Sequence, residues 1–489
     1  MTAVLVAAER VVVETPRGAL LVDDVSLTLH AGELVVVVGP SGAGKTTLLQ
    51  ALAGLRGASR GCIDRAGIAG AIGYVPQDDI VHSELTVDEN VRYAARLRVG
   101  RSLDRTALDA LVAATLAAVG LTDRADVAVA SVSGGQRKRV SIATELVARP
   151  SVCFLDEPTS GLDPAAARDL MGTLASLADQ GTTVVTTSHN LADLRVADRV
   201  VVLAPGGRIA FDGPPTEAPE PYRTDAVEHP TVPARARAIE TATVRTTRVP
   251  RAVQDAVLAR RNLTVLARNR MSAAIMAGSP IAVVAMMAVL FRAHAAGPAA
   301  PLPEVAHAFA YWLAFAGFFF GLTFGLLQIT TELPLVRREL HGPVDLDAYL
   351  LAKVAVLIPV LAAVDLAMVA VLVGIDRITG VGAGDLVVLL GLLLLDSACG
   401  LAIGLMASAA VTGPVQATLA LPMLCFPAVL FGGAIVPVDA MTGLGRGLAA
   451  VTSTRWAFDA LREVLVPGAD HAGGAVGCRV VLARRTRTG

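Results

Sequence analysis

The residues with the most chemistry to offer form one string, Gly39-Pro40-Ser41-Gly42-Ala43-Gly44-Lys45-Thr46, followed by Thr47. Its glycines let the backbone curl around an anion without Cβ clashes. A helix opening at the end of such a loop aims several N–H groups and its positive dipole end at one point, which suits a phosphate. Lys45 then stands where its ammonium reaches the β- and γ-phosphates, and the Thr46 hydroxyl where it holds Mg2+. Lysine is scarce in the chain, with only Lys45, Lys138 and Lys353, whereas arginine is abundant. A point-charge lysine kept in so arginine-biased a sequence argues for a specific task, because the planar guanidinium fits this cradle poorly. The elements that must position the string are adjacent. Leu34–Val38 is an apolar run that reads as a buried strand, and residues 47–55 read as the helix that follows. Strand, glycine loop and helix together read as a nucleotide-binding site.

Further motifs follow in a fixed order. Residues 72–75 read as a short strand that delivers Gln77 after a proline turn. Ser133-Gly134-Gly135-Gln136 is a second glycine-rich turn opening a helix, so a second set of N–H donors and a hydroxyl can face a phosphate. Residues 151–155 form an apolar strand ending in Asp156 and Glu157, and Asp163 follows at once. Residues 182–187 are a β-rich strand leading into Ser188-His189. Phosphoryl transfer to water needs charge neutralisation and an aligned nucleophile more than covalent help. Adjacent strand-end residues point to opposite faces, so Asp156 and Glu157 can serve metal and water separately. Alone, such an acid pair is more often a helix cap or a solvated pair, and a lone histidine after a strand is usually structural. Their order is the argument.

That order resembles the ATP-binding cassette (ABC) ATPases, and the resemblance covers residues 1–215. It implies that two nucleotide domains dimerise head to tail, each ATP lying between one P-loop and the partner's signature, here Val132 to Gln136. By that resemblance Gln77 contacts Mg2+ and the membrane domain, and Ser133 and Gly135, with Gly134 and Gln136 beside them, bind the γ-phosphate across the dimer. Asp156 holds Mg2+ through water, and Glu157 orients or deprotonates the attacking water. Asp163 couples the two sites, and His189 contacts the γ-phosphate. One departure is visible: residues 11–21 contain no Phe, Tyr, Trp or His to stack on adenine. Aliphatic contact from Val11, Val12 and Val13 is the available substitute, with ATP the default nucleotide and GTP left open.

Composition divides the 489 residues in two. Residues 1–215 alternate apolar strands with charged helical segments, as an α/β domain does. From residue 271 onward five apolar stretches, 273–291, 305–327, 349–373, 386–406 and 417–436, each approach the roughly 20 residues needed to cross a bilayer. The expected architecture is an α/β P-loop nucleotide-binding domain followed by an all-α polytopic membrane domain at 271–470, with about five spans. Between them lie a linker at 216–250, rich in Pro, Thr, Ala and Arg, and an amphipathic connecting helix at 251–270. In that helix Val253, Val257, Leu263 and Leu266 are apolar. Arg260, Arg261, Arg268 and Arg270 can face anionic headgroups or, alternatively, a domain contact. The same arginines place this end of the first span in the cytoplasm. A net charge of −1 points to no nucleic acid. The five cysteines (Cys62, Cys153, Cys399, Cys425, Cys478) show no metal-ligand spacing and no disulfide framework. Residues 1–8 lack the features of a secretory signal.

With the nucleotide domain first and the spans second, the chain resembles the G-type half-transporters and their bacterial relatives with a type-2 permease domain. That implies an integral protein of the cell membrane with a cytoplasmic ATPase. Its partners are then a second copy or a related half-transporter, membrane lipids, and an exported substrate, amphipathic or lipid-like. Residues 331–349, with Glu332, Arg337, Arg338 and Glu339, match the segment where such transporters place a coupling helix, although an ordinary charged loop reads the same way. Two other classes stay open: a membrane-anchored ATPase doing mechanical work on lipid or envelope partners, and a tethered P-loop enzyme. Asp365 and Asp396 fall near mid-span, where a charged carboxylate costs about 2.5–3.5 kcal/mol. Helix packing and a substrate or proton role are both open for them. Residues 472–483 are too short, and too interrupted by Arg479, for a sixth span. The basic tail 471–489 therefore falls outside the cell if five spans are right, and a truncated transporter with ATPase but impaired transport is a further reading.

Overall fold

From Asp24 onward the second strand alternates buried with more exposed side chains, as a half-buried sheet requires, whereas the first buries Val11, Val12 and Val13 in a row. β1 (Val4–Glu14) pairs antiparallel with β2 (Leu20–His30), setting Val11 opposite Val25 and Val13 opposite Val22. The computed structural model describes residues 3–68, 70–99, 103–224, 249–298, 300–340, 342 and 344–466. They divide into two units. The described residues up to Arg268, together with Arg337–Ala352, form one; Asn269–Val336 and the described residues from Lys353 onward form the other.

In the first unit the chain continues through β3 (Leu34–Val38), α1 (Lys45–Leu52), β4 (Arg60–Asp64), β5 (Ile72–Val75), α2 (Val87–Arg98), α3 (Arg105–Ala118) and α4 (Gly134–Leu146). Then come β6 (Val152–Leu155), α5 (Pro164–Asp179), β7 (Thr183–Thr187), β8 (Arg199–Leu203) and β9 (Ile209–Gly213). Six strands form a sheet in the order β5-β6-β7-β3-β8-β9, parallel except for the β8–β9 pair. A second sheet runs β2-β1-β4. β3 is buried on both faces, which is why it reads as an unbroken apolar run. Leu34, Val36 and Val38 join Val140 of α4 and Leu174 of α5 in one core. Val35 and Val37 join Leu48 and Leu49 of α1, with Val13 and Val25 of the smaller sheet, in the other. The P-loop, Gln77, Asp156, Glu157 and His189 follow the carboxyl ends of β3, β5, β6 and β7, where parallel sheets bind ligands. α6 (Arg251–Arg268) clusters with this unit.

The second unit is helical: α7 (Arg270–Leu290), α8 (Pro303–Leu326), part of α9 (Leu333–Leu340), most of α10 (Leu346–Gly374), α11 (Ala383–Ala410), α12 (Pro414–Leu430), α13 (Gly443–Val451) and α14 (Ser453–Leu465). α7, α8, α10 and α11, of 21, 24, 29 and 28 residues, are long and apolar enough to cross a membrane. α8 and α11 approach closely because their facing residues are small. A Cβ on Gly321 would lie 1.8 Å from the Ser397 carbonyl oxygen, and one on Gly400 would lie 2.2 Å from that of Phe318. Ser408 Oγ accepts from the amides of Ile329 and Thr330 at 3.0 Å, satisfying backbone that follows α8.

The fifth stretch differs from expectation. Its helix stops at Leu430 after 17 residues, and Gly433 with φ 86° and then Pro437 follow, neither of which continues a helix. At 1.5 Å per residue it rises about 26 Å, short of the roughly 30 Å hydrocarbon core. Asp365 and Asp396 are both buried, and Asp365 Oδ2 accepts from Ser397 Oγ at 2.9 Å. Most of the linker and all of the basic tail, including the short apolar run proposed against a sixth span, lie outside the described residues.

Candidate active site

The phosphate loop owes its shape to glycine at three positions. Gly39, Gly42 and Gly44 have φ of 151°, 81° and 94°. A Cβ on Gly39 would meet the Leu203 carbonyl oxygen at 2.4 Å and one on Gly44 that of Leu21 at 2.1 Å, whereas Gly42 is required by its backbone angle alone. Pro40, Ser41, Gly42 and Thr46 are exposed, Thr47 is half-buried and Ala43 is buried. The Lys45 ammonium donates to the carbonyls of Gly39 at 2.9 Å and Pro40 at 3.2 Å, so it lies across the loop it belongs to.

Asp156 and Glu157 follow the end of β6 and take different partners. Asp156 Oδ1 accepts from Thr46 Oγ1 at 3.0 Å and Thr187 Oγ1 at 2.7 Å. Glu157 Oε2 accepts from Gln77 Nε2 at 3.2 Å and lies 3.5 Å from His189 Nδ1. The physical reason for their separation is not strand alternation, as the sequence suggests. Glu157 lies beyond the strand with φ 44°, a left-handed conformation that turns its carboxylate toward Gln77 and His189. Its amide is held there by Thr187 Oγ1 at 2.8 Å. Thr46, Asp156, Gln77, Glu157 and His189 are thus brought together.

Three residues beyond the expected set support this site. Thr187 serves both acids at once. Asp193 Oδ2 accepts from Thr159 Oγ1 at 2.7 Å and Ser188 Oγ at 2.6 Å, tying the segment after Glu157 to the one before His189. Burial pushes the Asp193 carboxyl above its ordinary range, against the opposing pull of those hydroxyls. Lys138 Nζ donates to the Gln77 carbonyl at 2.6 Å. Only the scarcity of lysine could have drawn attention to Lys138, and nothing local marks Thr187.

The second glycine-rich turn is elsewhere. Ser133 caps α4 in a reciprocal box with Gln136, its Oγ accepting from the Gln136 amide at 3.3 Å. Ser133 and Gly134 are exposed, while Gly135 and Gln136 are half-buried. Asp163 caps α5, accepting from the amides of Ala165 and Ala166 at 3.0 Å, and the Ala166 and Ala165 amides hold its carboxyl below the ordinary range. Among the described residues, none of their hydrogen bonds reaches the P-loop, Asp156 or Glu157. The adenine expectation changes as well. Val11, Val12 and Val13 are all buried, and Val11 and Val13 are packed into the core by their pairing with β2, so they present no open aliphatic face.

Charged contacts link the ATPase elements to α6 and the 337–352 segment within the same unit. Arg261, 2% exposed, grips Glu339 through two bonds, 2.5 Å from Nη1 to Oε1 and 2.8 Å from Nη2 to Oε2. Burial pushes Glu339 up, but Arg261 outweighs it and the carboxyl lies below its ordinary range. Arg338 Nε lies 3.8 Å from Glu145 Oε1 on α4, which also takes Arg98 Nη2 at 2.6 Å. Arg268 pairs with Glu89 of α2, and Arg251 with Asp345 and Asp347. Of the two readings of α6, these pairs support the domain contact. Arg261 and Arg268 are committed to carboxylates, Leu263 is exposed, and the buried stripe is Gln254, Leu258, Arg261 and Asn262.

Residues 22–160 match the family described as ABC transporter, and residues 253–466 the one described as ABC-2 type transporter. The chain is 32% identical, over 92% of its length, to an ABC transporter ATP-binding/permease protein of Mycobacterium tuberculosis, of which it covers 56%. It is 41% identical to ABC transporter G family member 21 of Arabidopsis thaliana, over 40% of this chain and 31% of that one. A solved chain from Clostridium perfringens, described as part of an ABC transporter complex, is 29% identical over 44% of this chain and 90% of that one, with a TM-score of 0.40. The chain thus spans about half the length, or less, of the curated relatives it matches. With an ABC ATPase domain followed by an ABC-2 type membrane domain on one polypeptide, it belongs to the ABC transporters.

Proposed function

We propose that this chain is a half-transporter that hydrolyses ATP at a site completed by a second copy or a related half-transporter. The ATPase faces the cytoplasm, and hydrolysis exports an amphipathic or lipid-like substrate across the cell membrane. The observation that carries the reading is the convergence of Gln77 and His189 on the Glu157 carboxylate, beside the Thr46–Asp156 pair. Lys45 and the loop amides bind the phosphates and offset their charge. Glu157, aimed by Gln77, accepts a hydrogen bond from a water aligned on the γ-phosphorus. It takes that water's proton as the new P–O bond forms and the bond to the leaving ADP breaks. Exposed Ser133 and half-buried Gly135 supply donors to a γ-phosphate held by another chain. Thr46 and Asp156, with the Gln77 side-chain oxygen, are the hard oxygen donors that Mg2+ favours. Bound there, it would neutralise phosphate charge.

The Arg338–Glu145 contact supports coupling, since it joins the helix that presents the signature to the segment leading into α10, and Arg261–Glu339 ties that segment to α6. Arginines before α7 support a cytoplasmic ATPase. The test is ATPase turnover of the chain in vesicles across a panel of amphipathic and lipid cargos, with cargo accumulation measured in inverted vesicles. Cargo-dependent stimulation with ATP-driven accumulation is expected. Turnover that responds to an added partner protein but to no cargo, without accumulation, contradicts export and favours mechanical work.

A further inference from the structure

Lys138 is one of only three lysines, and its charge is taken out of water, the residue being 3% exposed. It lies on α4 just past the Ser133 cap. Nζ donates to the Gln77 carbonyl at 2.6 Å and pairs with Asp79 Oδ1 at 2.9 Å. Gln77 then reaches on, its Nε2 donating to Glu157 Oε2 at 3.2 Å. A buried ammonium is tolerated where hydrogen bonds and a countercharge are both supplied. Here both come from one short segment, residues 77–79. A compact ammonium directs two donors from a single atom to a carbonyl and a carboxylate, which a flat guanidinium does less well.

We propose that Lys138 is a positioning residue for hydrolysis. It fixes the Gln77 main chain to α4 so that the Gln77 amide holds Glu157, and it thereby links the signature serving one nucleotide site to the base serving the other. This rests on the ATPase reading above and adds a residue that acts through Gln77 rather than on phosphate. Lys45 carries the phosphate contact, so nucleotide affinity and hydrolysis should separate when Lys138 changes.

The experiment measures phosphate release by the full-length chain in lipid nanodiscs for wild type, Lys138→Met, Lys138→Arg, Gln77→Ala and the Lys138→Met/Gln77→Ala pair. Lys138→Met should lower kcat about tenfold with KM for ATP within about twofold, as a misaligned catalytic group does. Lys138→Arg should recover part of that loss. In the Gln77→Ala background Lys138→Met should have little further effect, since two residues acting in series are non-additive. If Lys138→Met lowers the melting temperature, Lys138→Met/Asp79→Leu removes both charges of the pair and should restore the melt but not kcat. An unchanged kcat, a loss that persists in full in the Gln77→Ala background, or a recovery of kcat together with the melt overturns the proposal. Glu157→Gln separates the two levels. If it turns over like wild type, the reading of the site is at fault; if it is inactive while Lys138→Met is normal, only the role of Lys138 fails.

Discussion

Glu157 adopts a backbone conformation that few residues other than glycine take, with φ 44°, and the Thr187 hydroxyl holds its amide there. Such outliers persist where the surroundings enforce them, and they cluster at functional sites. Lys45 and Glu157 should therefore fail in different ways. Lys45→Ala should weaken nucleotide binding, because it removes a phosphate ligand. Glu157→Gln should keep ATP bound while slowing hydrolysis by about 10²–10⁴-fold, the usual contribution of a general base. Equilibrium binding of a fluorescent ATP analogue, read beside phosphate release, checks both; comparable turnover for Glu157→Gln and wild type would mean that the base is another group. At this scale the P-loop, Gln77, Asp156, Glu157 and His189 were legible, because each stands at a fixed distance along the chain from a strand end or a glycine turn. Thr187, Asp193 and Lys138 were not. Their partners are set by which strands and helices become neighbours, such as β6 beside β7.

α6 shows the same limit for an element. Its apolar periodicity was readable, yet the face it buries is largely polar, with Gln254 reaching the Asp345 amide and Arg261 reaching Glu339. A polar stripe can be buried only when its partners come from elsewhere in the fold, and local sequence does not display them. The Glu339 carboxyl lies below the ordinary value of 4.5, with Arg261 outweighing its burial. A carboxylate lowered on folding contributes stability that is present above the unfolded value and lost as pH falls through the folded one. Thermal melts should therefore show wild type losing more stability than Glu339→Gln as pH drops below about 4.5, the ordinary value. Near neutral pH, Glu339→Gln should be less stable by about 3–5 kcal/mol, the typical cost of leaving a buried partner charge unpaired. Identical pH profiles for the two proteins would show that the pair does not form. α12 fell short of its expected span for a local reason, since Gly433 and Pro437 follow Leu430 and end the apolar helix early.

For the molecule as a whole, the division into a nucleotide-binding α/β half and a helical membrane half was legible from hydropathy alone. The assignment of residues 337–352 to the ATPase unit was not, because it depends on contacts between segments almost two hundred residues apart, such as Arg338 with Thr144. The central claim is that ATP is hydrolysed at a site built from the P-loop of one chain and the Ser133–Gln136 turn of another. Two variants test it most directly, Lys45→Ala, which damages the P-loop, and Ser133→Arg, which blocks the signature. Each alone should be inactive. A dimer containing one of each keeps a single site with both halves intact, so mixing the two chains before reconstitution should restore ATP hydrolysis to a sizeable fraction of wild type. Substantial turnover by Ser133→Arg alone, or no recovery from mixtures shown to contain mixed dimers, would contradict the account.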